Sequence, residues 1–457
     1  MLRNRYSPGP DGDRQSRPLP AGRHRRLRAA AAIASAVAIA AVAACSSTSS
    51  GSAAASGGGG VAGGSGSGSA APGVTSNSVS IGLLSSFTGP AAAEFANVYP
   101  GFAAYIAKVN AAGGVDGRKI NIVKVDDQGS PAQAVTAVHS AVQVQHVFAL
   151  ASVAVGTFAV EPYLLQQNVP VIGVPIDGVE WAPPNNNMFP VIGSASAKFP
   201  APVFFGKYMK TGGCTRLGMV VLNVPSAVGA GENAKASAQA QGIAVPYFNT
   251  SVSLTQTGFD AVAQSLKAAN VDCVYSVMID PEDLSLVAAM KAAGISTKVT
   301  LVDAEPTPAD LQNPQNKADL QGASVFGPYY PPNANTPGTQ AMTAALATYE
   351  HQTAPYDENE AFAWMSAAGV VAGLQAAGKN LTRADYISSL RNLSGFTAGG
   401  IGLSPLNFTA SYGTGAQGGG PAPDVCVIYS KLSGTTWVEN PAPVCGGLIS
   451  PPVYANP

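Results

Sequence analysis

From residue 79 the chain alternates between two hydrophobic periods, one of short apolar runs and one of about 3.6 residues. Residues 79–84 form an apolar run that closes in Ser85-Ser86-Phe87-Thr88-Gly89-Pro90. Tyr99, Phe102, Ile106 and Val109 then fall on one helical face that ends at Gly113-Gly114. Pro90 suits a first helical position, and Pro100 predicts a kink near the helix start. Residues 120–125 read as a strand, a helix starts at Pro131, 147–150 is a strand, a helix starts at Thr157, and 170–173 is a strand.

The pattern restarts after Gly212-Gly213. Strands are expected at 217–222, 244–249, 274–277 and 299–302. Between them lie helices at 231–241, one carrying Phe259, Val262 and Leu266 on a face, and one running from Pro281 to Gly294. A short strand at 323–326 precedes helices at 338–352, 358–377 and 383–392, and a hairpin turns at Ser433-Gly434 between 425–430 and 436–439. Strands alternating with helices imply parallel sheets covered on both faces. Two such runs of about 120 residues imply two α/β lobes of ordinary domain size, each doubly wound and Rossmann-like.

The first residues read differently. Residues 1–28 hold eight Arg and two Asp, and 29–44 are Ala, Ile and Val with one Ser. A basic stretch before an apolar one is the layout of an export signal, and 16 Ala-rich residues are short for a membrane span. Val42-Ala43-Ala44-Cys45 resembles a lipobox, so Cys45 is the expected lipidation site, a thiol being a good nucleophile toward a lipid donor. The Gly/Ser/Ala tract that follows is an expected flexible tether. Arg25-Arg26 leaves both the general and the twin-arginine export routes open. The expected divisions are 1–44 signal peptide, 45–77 lipidated cysteine and tether, 78–196 plus 327–400 lobe one, and 197–326 plus 401–457 lobe two.

Eight of the 25 Lys and Arg and two of the 26 Asp and Glu lie in residues 1–28. The rest carries 17 basic against 24 acidic side chains, a net charge of −7. With no basic run after position 28, nucleic acid is not an expected partner. Cys214, Cys273, Cys426 and Cys445 remain after the leader. An even count in an exported chain favours disulfides over free buried thiols. Of three possible pairings, Cys214–Cys273 is preferred because both open strands that are commonly neighbours, and Cys426–Cys445 because they flank the hairpin. The four His are scattered and no Cys/His spacing suggests zinc, so no metal and no cofactor is expected.

Gly229-Ala230-Gly231-Glu232-Asn233-Ala234 has a GxGxxA form. It stands six residues beyond its strand, and no acid closes the next strand, so it reads as a loop and helix start rather than a dinucleotide fingerprint. No GxSxG elbow supplies a hydrolase nucleophile. Asp126-Asp127 reads as a pair capping the loop before Pro131 more than as a catalytic or metal pair. Tyr329-Tyr330 lines a cleft or packs a hinge.

The stretch with Gly89-Pro90, Gly101, Asn110-Ala111-Ala112-Gly113-Gly114, Gly117-Arg118 and Asp126-Asp127 resembles the type I periplasmic solute-binding proteins. These include the leucine/isoleucine/valine and amide receptors of ABC importers. The likeness runs on through NVPVIGVP, FDAVAQSLKAANVDCVYSVM and MKAAGI and covers most of residues 78–395. It implies two lobes joined by a three-strand hinge and closing on a small solute, with an ABC permease as partner, no enzymatic activity and a monomeric state. With Cys45, it implies a lipid-anchored protein on the extracytoplasmic face of the cell membrane. A ligand-sensing lipoprotein without a transport role is the alternative.

The resemblance puts the ligand at loops 85–88, 154–157, 175–177, 226–229, 279–280 and 303–305. Where amino-acid receptors hold the ligand carboxylate with Ser or Thr, this chain has Val155, with Thr157 close by, and Asp177. The aromatic expected on the first helix is Glu94, and the ligand-facing tyrosine of lobe two is Val228. Glu305 matches the acid that pairs with the ligand ammonium. Ser86, Phe87, Trp181 and Asp280 complete the expected binding set. The amine anchor is kept and the carboxylate anchors are altered. That suits a ligand with hydroxyls, an amide or a cationic group, and an apolar part near Phe87, Val155 and Trp181.

Overall fold

The computed structural model describes residues 71–175, 179–181, 185–192, 201–408 and 425–449 without 435, 440, 441 and 448. The first half runs β1 (Ser78–Ser85), α1 (Val98–Ala111), β2 (Lys119–Asp126), α2 (Pro131–Gln143), β3 (Ala149–Ser152), α3 (Glu161–Gln166), β4 (Val171–Gly173) and β5 (Met188–Pro190). These five strands pair in parallel in the order β2-β1-β3-β4-β5. The second half runs α4 (Phe204–Thr211), β6 (Arg216–Leu222), α5 (Pro225–Ala240), β7 (Ala244–Val252), α6 (Asp260–Ala268), β8 (Cys273–Val277), α7 (Asp280–Ala292), β9 (Val299–Val302), α8 (Pro314–Asp319) and β10 (Ser324–Gly327). Then follow α9 (Pro337–Tyr349), α10 (Glu358–Ala377), α11 (Arg383–Arg391), β11 (Val425–Ser433), β12 (Thr436–Glu439) and β13 (Val444–Gly446).

The second sheet has the order β12-β11-β10-β9-β8-β6-β7, and β13 pairs with β11. Strands β6 to β10 pair in parallel, and β11 returns antiparallel on β10. In each sheet the first strand lies between the second and the third. The loops leaving those strands therefore diverge and leave a crevice at the carboxyl ends, the position where open α/β sheets bind ligands.

The strands are apolar on both faces because helices cover both. β3, β4 and β8 have no exposed residue, as parallel strands require. α10 is buried along nearly its whole length from Glu360 to Leu374, the pattern of a helix inside a core rather than on a surface. It crosses α1 closely: a Cβ on Gly101 would lie 2.4 Å from the Glu360 carbonyl oxygen, so only glycine fits there. Tyr329, Ile401 and Phe408 pack in the same core as β1, α1 and α10. Val427 and Tyr429 of β11 pack in the second, with Tyr429 stacked on Tyr208 at 3.6 Å. The chain therefore passes between the cores three times: before α4, after β10 and before β11. After β10, Tyr329 pairs with Gly402, and the Tyr330 amide donates to the Ile401 carbonyl at 2.7 Å.

Both expected disulfides are present. Cys214–Cys273 joins the starts of β6 and β8 across a Cα separation of 5.8 Å, and Cys426–Cys445 links β11 to β13. Some local expectations are corrected. Residues 90–97 form turns, so Pro90 does not open a helix. Pro100 sits in the first turn of α1, where its missing N–H has no helical acceptor to lose, and no kink results. α5 starts at Pro225, so residues 226–229 and the Gly229–Ala234 segment are helix rather than loop. Cys45 and the leader lie outside the described residues. Among the described residues no helix is long and apolar enough to cross a membrane.

The Cys214–Cys273 bridge closes a 59-residue separation. Chain entropy alone assigns such a loop about 4 kcal/mol, and native bridges commonly give about 2–4. The double variant Cys214→Ala/Cys273→Ala is expected to lose stability in that range in urea unfolding, with its secondary structure by circular dichroism unchanged.

Candidate functional site between the lobes

The loop after β1 is held by the aspartate pair that ends β2. The Asp126 carboxylate accepts hydrogen bonds from the Phe87, Thr88 and Gln128 amides at 3.0, 3.2 and 3.0 Å and from the Thr88 hydroxyl at 2.6 Å. Asp127 accepts from the Ser86 hydroxyl at 2.6 Å and the Gly129 amide at 2.9 Å. The pair thus caps the loop, as the sequence suggests. These bonds lower the Asp126 pKa against a desolvation that raises it, while burial wins at Asp127 and raises it. Ser86 is buried in this network, and the half-buried Phe87 ring lies 5.2 Å from the Lys124 ammonium.

Not every expected residue faces the crevice. Thr157 is buried, and its hydroxyl shares a hydrogen bond of 2.8 Å with that of Ser152. Trp181 is buried in a core cluster with Leu84, Val125 and Met188. Val155 packs at the edge of the first core, and Val228, in the first turn of α5, packs on the second. Asp177 lies outside the described residues.

Glu94, Asp280 and Glu305 come together, and they bring other carboxylates with them. Glu94 leaves the turns before α1, and its Oε2 accepts the Asp280 amide of the opposite lobe at 3.3 Å. The Asn359 side chain of α10 donates to the Glu94 carbonyl at 2.9 Å and steadies that segment. The Glu305 amide, in the loop after β9, donates to Glu358 Oε2 at 3.2 Å, a second link between the lobes. Glu305 Oε2 accepts the Tyr329 hydroxyl at 3.0 Å, and Asp303 accepts that of Tyr275 at 2.6 Å. Asp280, Glu282 and Asp283 form the first turn of α7, and Glu358 and Glu360 that of α10. The positive helix N-termini favour acids there. Among the described residues no Lys, Arg or His stands among the groups that most affect Glu94, Asp280, Glu282, Asp283, Asp303 or Glu358.

Protons are therefore held tightly. Burial, with Asp283, Glu282 and Asp303 adding repulsion, raises Glu94 to about 8. Burial and the neighbouring Asp310 carboxyl raise Asp280 to about 10, and burial raises Glu282 to about 7 and Asp303 to about 6. Asp283 and Glu358 are pushed well above the usual carboxylate range, also by burial first. Glu94, Asp303, Glu305 and Glu358 are half-buried. Asp283 and Glu282 stand behind them, 0% and 3% exposed. The Ser276 hydroxyl and Ala304 amide approach Asp283 without completing a hydrogen bond, so both its oxygens lack a partner, as does Glu282 Oε2.

Glu305 also lines a cavity of about 360 Å³ beside the hinge, whose walls include Tyr329, Tyr356, Trp437, Leu311 and Asp357. Among the described residues no group of three or more His, Cys, Asp or Glu is arranged to hold a metal ion. Asp303 lies in the expected loop 303–305 without being among the named binding residues, and Glu282, Asp283 and Glu358 are absent from the sequence-derived set. Acids in the first turn of a helix are ordinary capping chemistry, so the only signal for these three is their density in DPED (280–283) and DENE (357–360).

This crevice between two doubly wound sheets, with a three-passage hinge, is matched by comparison with known proteins. The family model described as periplasmic binding protein matches residues 78–419. The chain belongs to this family. Among solved structures, a solute-binding protein of an ABC transporter from R. palustris in complex with benzoate aligns with a TM-score of 0.66 and 17% identity, over 82% of this chain and 99% of that one. A fatty acid ABC transporter substrate-binding protein from Thermomonospora curvata aligns at 0.68 and 20%, over 82% and 94%. The leucine-binding protein LivK from Thermotoga maritima aligns at 0.64 and 16%, over 80% and 98%. At these identities the likeness shows the fold, of the type I periplasmic binding protein kind. No curated protein sequence matches.

A carboxyl whose pKa is higher in the folded than in the unfolded chain binds more protons in the native state. Its stabilising contribution is full below the unfolded value, 4.5 for Glu94, and is lost as pH rises through about 8. Among the described residues the groups facing Glu94, namely Asp280, Glu282, Asp283, Asp303 and Glu358, are all acids, so their shifts act in the same direction. The unfolding midpoint of the ligand-free protein is expected to fall steadily from about pH 5 to about pH 8. Glu94→Gln is expected to flatten that slope; an unchanged slope would refute the assignment of Glu94.

Proposed function

We propose that this chain is the solute-binding component of an ABC importer, lipid-anchored through Cys45 on the extracytoplasmic face of the membrane. It captures a small polar solute between its lobes by hinge closure and presents the closed form to a membrane permease. The carrying observation is that backbone amides of one lobe meet carboxylates of the other, Asp280 on Glu94 and Glu305 on Glu358, at the carboxyl ends of both sheets. Hinge rotation makes or breaks these links, so a ligand held at the junction biases the equilibrium. Family members are solute-binding proteins rather than enzymes, and we assign this chain no turnover. The solutes of the structural relatives, benzoate, fatty acid and leucine, support a small organic ligand without fixing its class.

Protein isolated from its own cell envelope is expected to release a small solute on denaturation, identified by mass spectrometry. Stripping that solute from the folded protein should raise the radius of gyration in small-angle scattering, and adding it back should lower it. A solute that leaves the radius unchanged would rule out hinge closure. Independently, Cys45→Ser should move the protein from the membrane fraction to the soluble one. Retention in the membrane would count against the anchor.

A further inference from the structure

We infer that the solute is an organic polycation carrying primary ammonium groups and no carboxylate, a diamine or polyamine in chemical class. This rests on the receptor reading above and names the ligand class of the same site. The argument starts from geometry. Four half-buried carboxylates stand at the junction, Glu94 and Glu358 from one lobe and Asp303 and Glu305 from the other, and the two lobes meet there through Glu94 and Glu358. Glu94 and Glu358 each spend only Oε2 on a backbone amide of the opposite lobe, and their Oε1 atoms are not hydrogen-bonded among the described residues.

The second observation lies behind this ring. Both carboxylate oxygens of Asp283 and Oε2 of Glu282 are buried without a hydrogen-bond donor. Buried carboxylates left unpaired are costly and are normally protonated or matched by a cation. Burial raises the pKa of Glu94, Glu282 and Asp283 and so favours protonation. A cation does better, because it removes repulsion among several acids at once.

The chemistry of the acceptors narrows the class. A primary ammonium has three N–H donors and no acceptor, which matches the open Oε1 atoms of Glu94 and Glu358. A quaternary ammonium has no donor and would leave them unmet. A carboxylate on the ligand would be repelled, so leucine and benzoate do not fit. The aromatic-walled cavity past Glu305, with Tyr329, Tyr356 and Trp437, offers room for an aliphatic stretch between charges. Because several acids share the charge, two or more ammonium groups should bind better than one. Charge pairing deepens with pH as the carboxyls lose their protons, so binding releases protons and tightens from about pH 6 to about pH 8.

The test uses the full-length chain in detergent. Thermal unfolding and calorimetry are run with putrescine, spermidine, tetramethylammonium, calcium, leucine, benzoate and palmitate as separate probes. Putrescine or spermidine should raise the midpoint, release protons on binding, and lose affinity at least tenfold in Glu94→Gln and in Glu358→Gln. The second variant guards against the first failing to fold. A shift with leucine, benzoate or palmitate and none with the diamines would overturn the polycation class while the receptor reading stands. An equal response to tetramethylammonium or calcium would overturn the primary-ammonium assignment. No response to either amine also overturns it, and the receptor reading is then decided by the solute released from native protein and its effect on the radius of gyration.

Discussion

Like charges buried together are the constraint around which this molecule is arranged. Acids from two lobes converge where the strands of both sheets end, and among the described residues no Lys, Arg or His is a strong neighbour of Glu94, Asp280, Asp283, Asp303 or Glu358. In a medium of low dielectric such a group cannot all ionise. The closed arrangement therefore depends on what neutralises it: protons, helix N-termini or a bound solute. The N-terminal turns of α7 and α10 supply a fixed part of that compensation. The rest is variable, and a variable term at a hinge is what makes a protein respond to a ligand.

The remaining structure keeps that junction in register. Parallel strands buried on both faces give each lobe a stiff core. α10 runs through the first core and delivers Glu358 at its start, and the close crossing at Gly101 fixes its height against α1. The Asp126-Asp127 pair ties the first crevice loop down with four hydrogen bonds, so that loop is a wall rather than a flap. Cys214–Cys273 staples the opposite ends of β6 and β8, away from the crevice. Rigidity is thus placed in the lobes.

Much of the fold was legible because it rests on local periodicity. The strands β1 to β4 and β6 to β10, the helices α9 to α11, the terminal hairpin and both disulfides follow from apolar spacing and turn residues. Legibility failed where the local rule was weak. Pro90 and Pro100 both suit a helix start, and only packing decides that α1 begins between them. The GAGENA segment looks like a loop because glycines are poor helix formers, yet Val221 and Phe248 of the sheet hold it as helix against them. Of the site, Glu94, Asp280 and Glu305 were found through family resemblance. Thr157 and Trp181 proved to be turned into the protein, for a hydroxyl or an indole near a crevice loop can serve the core as readily as a ligand.

By itself the sequence determined the α/β class, the two-lobed division, the disulfide chemistry and the acidic balance of the chain, because each follows from residue type and spacing along one dimension. Only the tertiary structure decided which acids share a site. Glu94, Asp283, Asp303 and Glu358 lie far apart in the chain, and each alone is an ordinary loop or helix-cap residue. Electrostatic repulsion acts through space over a few ångströms, and only the closure of one lobe on the other sets those distances.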